Sequence, residues 1–477
     1  MLAPGELHAF RQLLGPAGLI EDPAWIASYI VDQRSLLRGE TPAILRPGST
    51  EQVADAVRLA TRLGFGIVPQ GGNTSYCGGA TPDRTGRQLV LSLERMTRIR
   101  ELDASSMCIS VDAGAILKDV QDAAAAAGLL LPLSLGAEGS CRIGGNIGTN
   151  AGGLSVLRYG MTRDLVLGIE AVLPDGGIVS DMRKLRKNNT GYDVKQCFIG
   201  SEGTLGIVTG AVLKLFPAPV QRATAWIELA SDVPLSELLS TVRGESCDLV
   251  TSFEFITARS IALAASLSSE STGLKAGSGG AALLELSASS QRLDLNDLVE
   301  GILGEIMERG WAEDAFIAQS ERHRLAMWTL RETIPEGEKR WGGSVKHDIS
   351  VPLSAIDPFL KAGGDAVRCY DPSLELSIYG HVGDGNLHYN VLVPRGDDRL
   401  AFSALIEERL SNRLYDIAAS LGGAFSAEHG VGRLKRHLLE RYSDPGRLDL
   451  MRRIKAAFDQ EDRLNAGAVV APRKAGT

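Results

Sequence analysis

Glycine is not scattered through this chain. Its 54 glycines gather at 71–79, 136–153, 200–210 and 380–385, with no fixed period between clusters. Residues without a Cβ let backbone come close to a neighbour or a ligand, so the clusters predict loops built for close approach. The two glycine loops most often used for nucleotides are excluded: no GxxxxGK[ST] occurs, and no GxGxxG follows the first strand. In QGGNTSYCGG (70–79) the glycines are joined by Asn73, Thr74 and Ser75, donors without charge, and GSCRIGGNIGTNAGG (139–153) repeats that chemistry. Several N–H groups converging on one anion is what such loops supply, and two of them suit a pyrophosphate held from both sides. Tight turns between strands are the alternative for any single glycine pair.

The chain has 477 residues, more than one ordinary core, so two or three domains are expected. Its net charge is −8 with no Lys/Arg block, which argues against a nucleic-acid partner. The six cysteines show no CxxC spacing and are expected to be reduced thiols. The N-terminus has no basic segment followed by an apolar run, and the uncharged stretch 123–137 is too short to span a bilayer. No transmembrane segment and a cytoplasmic address are therefore expected.

Residues 43–46 read as a strand, 51–63 as a helix with Ser49 as N-cap, and 66–69 as the next strand. Further strands are expected at 88–93 and 107–114, with a helix at 116–128, and strand and helix alternate again through 168–215. After PAPV (217–220) the pattern changes. Strands at 222–229, 248–255 and 282–288 with helices at 234–243 and 292–309 predict a separate, mostly antiparallel sheet flanked by helices. Segments 401–421 and 444–459 read as helical, and 267–280 as a Ser/Gly-rich surface loop.

PQGGNTSYCGG (69–79), GAEGSCRIGGNIGTNAGGLSVLRYG (136–160) and NNTGYDVKQCFIGSEGTLGIVT (188–209) resemble the FAD-binding domain of the vanillyl-alcohol oxidase / p-cresol methylhydroxylase superfamily. Within it they are similar to the D-lactate and D-2-hydroxyglutarate dehydrogenase branch, from about Ala43 to Val469. The resemblance implies an α+β fold in three parts. These are a two-part FAD-binding domain of the p-cresol methylhydroxylase type (1–218), an antiparallel-sheet substrate (cap) domain (219–421), and a helical C-terminal segment (422–477) that completes the active site and packs back on the FAD domain. FAD would lie between the two loops. Gly71, Gly72, Asn73, Thr74, Gly78 and Gly79 would face the pyrophosphate, with Pro69, Gln70 and Ser75 also binding the cofactor. Gly144, Gly145, Asn146, Gly148, Thr149 and Gly153 would be on the flavin side, with Gly136 and Ser140 also binding the cofactor and Glu202, Gly203 and Ile207 in the third motif. Members that attach FAD covalently often carry a histidine where this chain has Asn73, and asparagine cannot form that bond, so non-covalent FAD is implied.

A second signal stands without the family. LSIYGHVGDGNLHYNVLV (376–393) is two alternating apolar runs around Asp384-Gly385, a strong hairpin signal. A two-residue loop there puts His381 directly opposite His388, with Asn390 on the same face. Two imidazoles beside an amide make half of a metal site. SAEHGVG (426–432) offers Glu428 and His429, whose side chains reach one site only if the backbone turns, as Gly430 and Gly432 permit. The alternative is a histidine pair stacked in a sheet. The resemblance implies that His381, His388 and Glu428 ligate a divalent metal, with zinc expected, and that His429 is the base.

Arg331 can grip a carboxylate in a two-point fork and Lys346 adds a second positive centre, although a lone Arg or Lys is more often a solvated surface charge. The resemblance assigns Arg331, Lys346 and Asn390 to the substrate. It also puts Pro335 where that group has a substrate-contacting threonine, which leaves the acid open. The expected activity is oxidation of a D-2-hydroxy acid to the 2-oxo acid by hydride transfer to flavin N5, with D-2-hydroxyglutarate first and D-malate next. A D-lactate dehydrogenase using a cytochrome or other acceptor, or a flavin oxidase of a related acid, are the alternatives. An electron-transfer flavoprotein or a quinone is the expected acceptor, and a homodimer the expected assembly.

Overall fold

The computed structural model describes residues 3–267 and 273–470, so residues 268–272 of the predicted 267–280 loop lie outside the described residues. Two compact units emerge. One comprises Met1–Gly153, Gly160–Ala218 and Glu428–Thr477, and the other Leu154–Tyr159 and Pro219–Ala427.

The first unit is built on two sheets. Strands Ile44–Leu45, Gln88–Ser92 and Gly66–Gln70 run parallel, with Leu19–Ile20 antiparallel on the edge. Parallel pairing needs a crossover, and the helix Thr50–Arg62 provides it. That helix forms where its apolar spacing predicts: Val53, Ala56, Val57 and Ala60 are buried, and the Ser49 side chain accepts from Gln52 N–H. The second sheet is antiparallel, in the order Ile99–Asp103, Cys108–Asp112, Ile207–Lys214, Val166–Val172 and Ile178–Asp181. The core joins Leu45, Ile67 and Leu89 of the first sheet to Ile109, Ile169 and Ala211 of the second.

The other unit is one antiparallel sheet of eight strands. Its order is Ala312–Ile317, Gln221–Leu229, Gly280–Ala288, Val250–Ile256, Leu376–His381 and Asn386–Leu392, with Ser344–Val345 and Asp348–Ser350 both on the last strand. The strands and helices expected between 222 and 309 are present within two or three residues. Helices Glu321–Glu332, Ile334–Trp341 and Ile356–Tyr370 were not anticipated from the pattern. The segment read as one helix over 401–421 is Arg399–Ile406 and Asn412–Ser420 joined by a π turn. All six cysteines are free thiols, and among the described residues no helix is long and apolar enough to cross a membrane.

The hairpin register differs from the expectation. Tyr379, not His381, pairs with His388, because the connection is a short 3-10 turn, Val382–Asp384, closed by Gly385 at φ 83°. The longer turn moves the register by two residues. A shift of one would have sent every side chain to the other face, whereas a shift of two leaves the faces unchanged. His381 therefore stays on the face of His388, diagonal to it, and lies directly opposite Glu254 on the neighbouring strand.

Candidate active site

The first glycine loop leaves strand Gly66–Gln70 with its neck closed. Gln70 is buried, and its Nε2 donates to the carbonyls of Tyr29 and Ala80, each at 2.9 Å. Asn73 adopts φ 53°, and its Nδ2 donates to the Val31 carbonyl at 2.9 Å, so the amide braces the loop from within. The Ser75 hydroxyl accepts from Cys77 N–H. Thr74, Gly78 and Gly79 complete the loop. The loop lies on the second one: a Cβ on Gly72 would stand 2.3 Å from the Ser140 carbonyl oxygen, and Gly71 faces Gly145.

That second loop runs from Gly136 into helix Ile143–Thr149, which carries Gly144, Gly145, Asn146, Gly148 and Thr149, and Gly153 follows it. The Ser140 and Thr149 hydroxyls donate to the Ala137 and Gly145 carbonyls. Gly144 is packed on Ala113, but nothing lies within 4 Å of where a Cβ on Gly136 or Gly145 would stand. The next residue, Asn146, is buried, and its Nδ2 makes no hydrogen bond of normal geometry, with the Cys141 thiol as a weak neighbour. Open glycine backbone beside an unsatisfied amide is a cradle that a polar cofactor would fill.

In the third motif, Gly203 is seated on Pro69 and Ile207 opens strand Ile207–Lys214. Glu202 turns its carboxylate onto the backbone of the AEHGVG segment. Its oxygens accept from Val431 N–H at 2.8 Å and Gly432 N–H at 2.9 Å. This clamps the turn just after His429, where Gly430 and Gly432 both take positive φ. The His429 ring stands edge-on to Tyr76, with centroids 4.8 Å apart.

In the other unit, His381 and His388 share one sheet face. The His381 and His388 rings are 5.6 Å apart at 80°. Glu428 follows Ala427, whose N–H is held by the carbonyl and side chain of Asp348, each at 3.2 Å. Ligand atoms of His381, His388 and Glu428 all lie within 4.8 Å of one another. Two imidazole nitrogens and one carboxylate oxygen are a donor set that can hold a divalent metal and leave a position open.

The candidate cations are held by two buried carboxylates that the sequence reading missed. Glu254 Oε2 accepts from Arg331 Nε at 2.7 Å and its Oε1 from His381 Nδ1 at 2.5 Å. Glu338 accepts from Lys346 Nζ, Asn390 Nδ2 and Ser344 Oγ, each at 2.9 Å. Both acids are 1% exposed. The available signal was a lone acid in the apolar run VTSFEFI (250–256), since acids are almost never fully buried unless paired. Arg331 lies over the Tyr379 ring, 4.7 Å from its centroid. His347 is structural: its Nδ1 donates to the Tyr389 carbonyl and its Nε2 accepts from Ser411. Pro335 sits exposed in the first turn of helix Ile334–Trp341 and offers no hydroxyl.

Two family models match this chain: an FAD binding domain over residues 41–181 and the C-terminal domain of FAD linked oxidases over 219–469, more than half its length. The chain belongs to the FAD-linked oxidase family. It is an FAD-dependent oxidoreductase, and the glycine cradle lies within the residues that match the FAD binding domain. Among curated relatives, the bovine (Bos taurus) mitochondrial D-2-hydroxyglutarate dehydrogenase is 36% identical over 98% of this chain and 83% of its own. The D-2-hydroxyglutarate–pyruvate transhydrogenase of Saccharomyces cerevisiae is 32% identical over 96% of this chain and 93% of its own. A substrate-bound p-cresol methylhydroxylase structure superposes with TM-score 0.77 at 17% identity, covering 99% of this chain and 98% of that one, which establishes the shared fold.

Proposed function

We propose that this FAD-linked oxidoreductase oxidises a D-2-hydroxy acid to the 2-oxo acid, with D-2-hydroxyglutarate as first substrate and D-malate as second. The observation that carries the reading is the meeting of a metal-competent trio, His381, His388 and Glu428, with Arg331 through the shared carboxylate of Glu254. When bound, FAD supplies the two-electron acceptor and a divalent metal, zinc first, would make the substrate hydroxyl more acidic. His381, His388 and Glu428 would hold that metal. Arg331 and Lys346 would hold the two carboxylates and fix which face of C2 is presented. His429 would take the hydroxyl proton on a ring nitrogen. Asn390 serves as a brace, through Glu338, on Lys346. Asn73, which cannot form the histidyl–flavin bond and whose amide is bonded to Val31, supports a non-covalent FAD.

Two cations support a dicarboxylate over D-lactate, and Pro335 leaves chain length to experiment. Dye-linked turnover with D- and L-forms of 2-hydroxyglutarate, malate and lactate tests the reading. The expected order of kcat/KM is D-2-hydroxyglutarate, then D-malate, then D-lactate, with the L-forms inert. A preference for D-lactate would overturn the dicarboxylate assignment. Rapid turnover with O₂ alone would make the protein an oxidase.

A further inference from the structure

A carboxylate inside a sheet is expensive unless it is paired, so its partners say what it is there for. Glu254 has two, and each belongs to a different part of the proposed site. Its Oε1 lies 2.5 Å from His381 Nδ1 and its Oε2 lies 2.7 Å from Arg331 Nε. The arrangement comes from the register: Glu254 is directly opposite His381, and Ile256 is opposite Tyr379, whose ring carries the Arg331 guanidinium.

We propose that Glu254 is a positioning residue that sets a metal-ligand histidine and a substrate-binding arginine together. The inference rests on the metal and substrate reading above. An ionised carboxylate only accepts hydrogen bonds, so His381 Nδ1 carries the proton and Nε2 keeps the lone pair that a metal needs. Arg331, a permanent cation, donates to the other oxygen of the same carboxylate at 2.7 Å. The same residue takes Arg331 through Nε, which sets the plane and direction of the guanidinium fork.

The isosteric amide cannot do both tasks. A glutamine has one acceptor oxygen and one donor nitrogen. Whichever way it turns, the NH₂ group faces either Arg331 Nε–H or His381 Nδ1. Facing the arginine, it sets donor against donor. Facing the histidine, it drives the ring to the tautomer with its proton on Nε2, which removes the metal's lone pair.

The test titrates FAD-loaded protein with Zn²⁺ alone against a chromophoric chelator, for wild type, Glu254→Gln, Glu254→Asp and His388→Ala. Glu254→Gln is expected to weaken zinc roughly 10- to 100-fold, raise KM for D-2-hydroxyglutarate and leave the flavin content unchanged. Glu254→Asp keeps the charge with a shorter reach and should fall between, which decides the matter if the glutamine variant does not fold. Zinc affinity and KM both equal to wild type in the variant that folds would sink the inference alone. Wild-type protein that takes up no zinc, or His388→Ala that binds as wild type does, would sink the metal reading and this inference with it.

Discussion

Replacing Glu338 by glutamine should separate what that acid does for stability from what it does for the substrate. The carboxylate is 1% exposed and accepts three bonds of 2.9 Å, from Lys346, Asn390 and Ser344. Removing one partner of a buried pair typically costs ~3–5 kcal/mol. Here Lys346 is 26% exposed, so water recovers part of its solvation, and the amide oxygen still serves one donor. A loss of about 2–3 kcal/mol remains, which for a domain of ~200 residues lowers the melting temperature by roughly 5–10 °C. Scanning calorimetry measures that shift. Lys346 would also lose its anchor, so KM for D-2-hydroxyglutarate should rise about tenfold, equivalent to ~1.4 kcal/mol, with a smaller change in kcat. The double variant Glu338→Gln/Lys346→Met removes the unpaired charge. It should recover most of the melting temperature and none of the KM. A single variant that melts and binds as wild type does would refute the idea that Glu338 holds Lys346. A double variant that recovers KM would remove Lys346 from the substrate site.

Three further outcomes are expected. His429→Asn should cut turnover by roughly 10²–10⁴-fold with FAD still bound, and unchanged turnover would move the base elsewhere. Glu202→Ala should release the 430–432 turn, lowering kcat more than FAD occupancy; flavin loss equal to activity loss would make Glu202 a cofactor support only. Dialysis against a strong chelator should abolish activity and Zn²⁺ should restore it, whereas full activity in verified metal-free protein would remove the metal from the scheme.

How much of this was legible in the sequence depends on range. The helix Thr50–Arg62 and its Ser49 cap follow from neighbours a few residues apart, and the pattern located both. The His381–His388 pair was found for a sound reason with the wrong register, since face parity survives a two-residue change in the turn. What was not legible depends on partners far along the chain. Glu254 meets Arg331 across 77 residues and His381 across 127. Glu202 meets Val431 across 229. No local periodicity sets the order of strands in a sheet, so a lone acid in an apolar strand could be noticed but not paired. Asn73 shows the same limit: its amide could be placed in a polar loop, but its bond to Val31 needs the folded N-terminal segment.

The most direct test of the account is anaerobic mixing of the purified protein with stoichiometric D-2-hydroxyglutarate while the flavin's visible absorbance is followed. Complete bleaching with the D-form and none with the L-form is expected, with one equivalent of 2-oxoglutarate formed. A flavin that stays oxidised with the D-forms of 2-hydroxyglutarate, malate and lactate alike, in metal-replete protein, would contradict it.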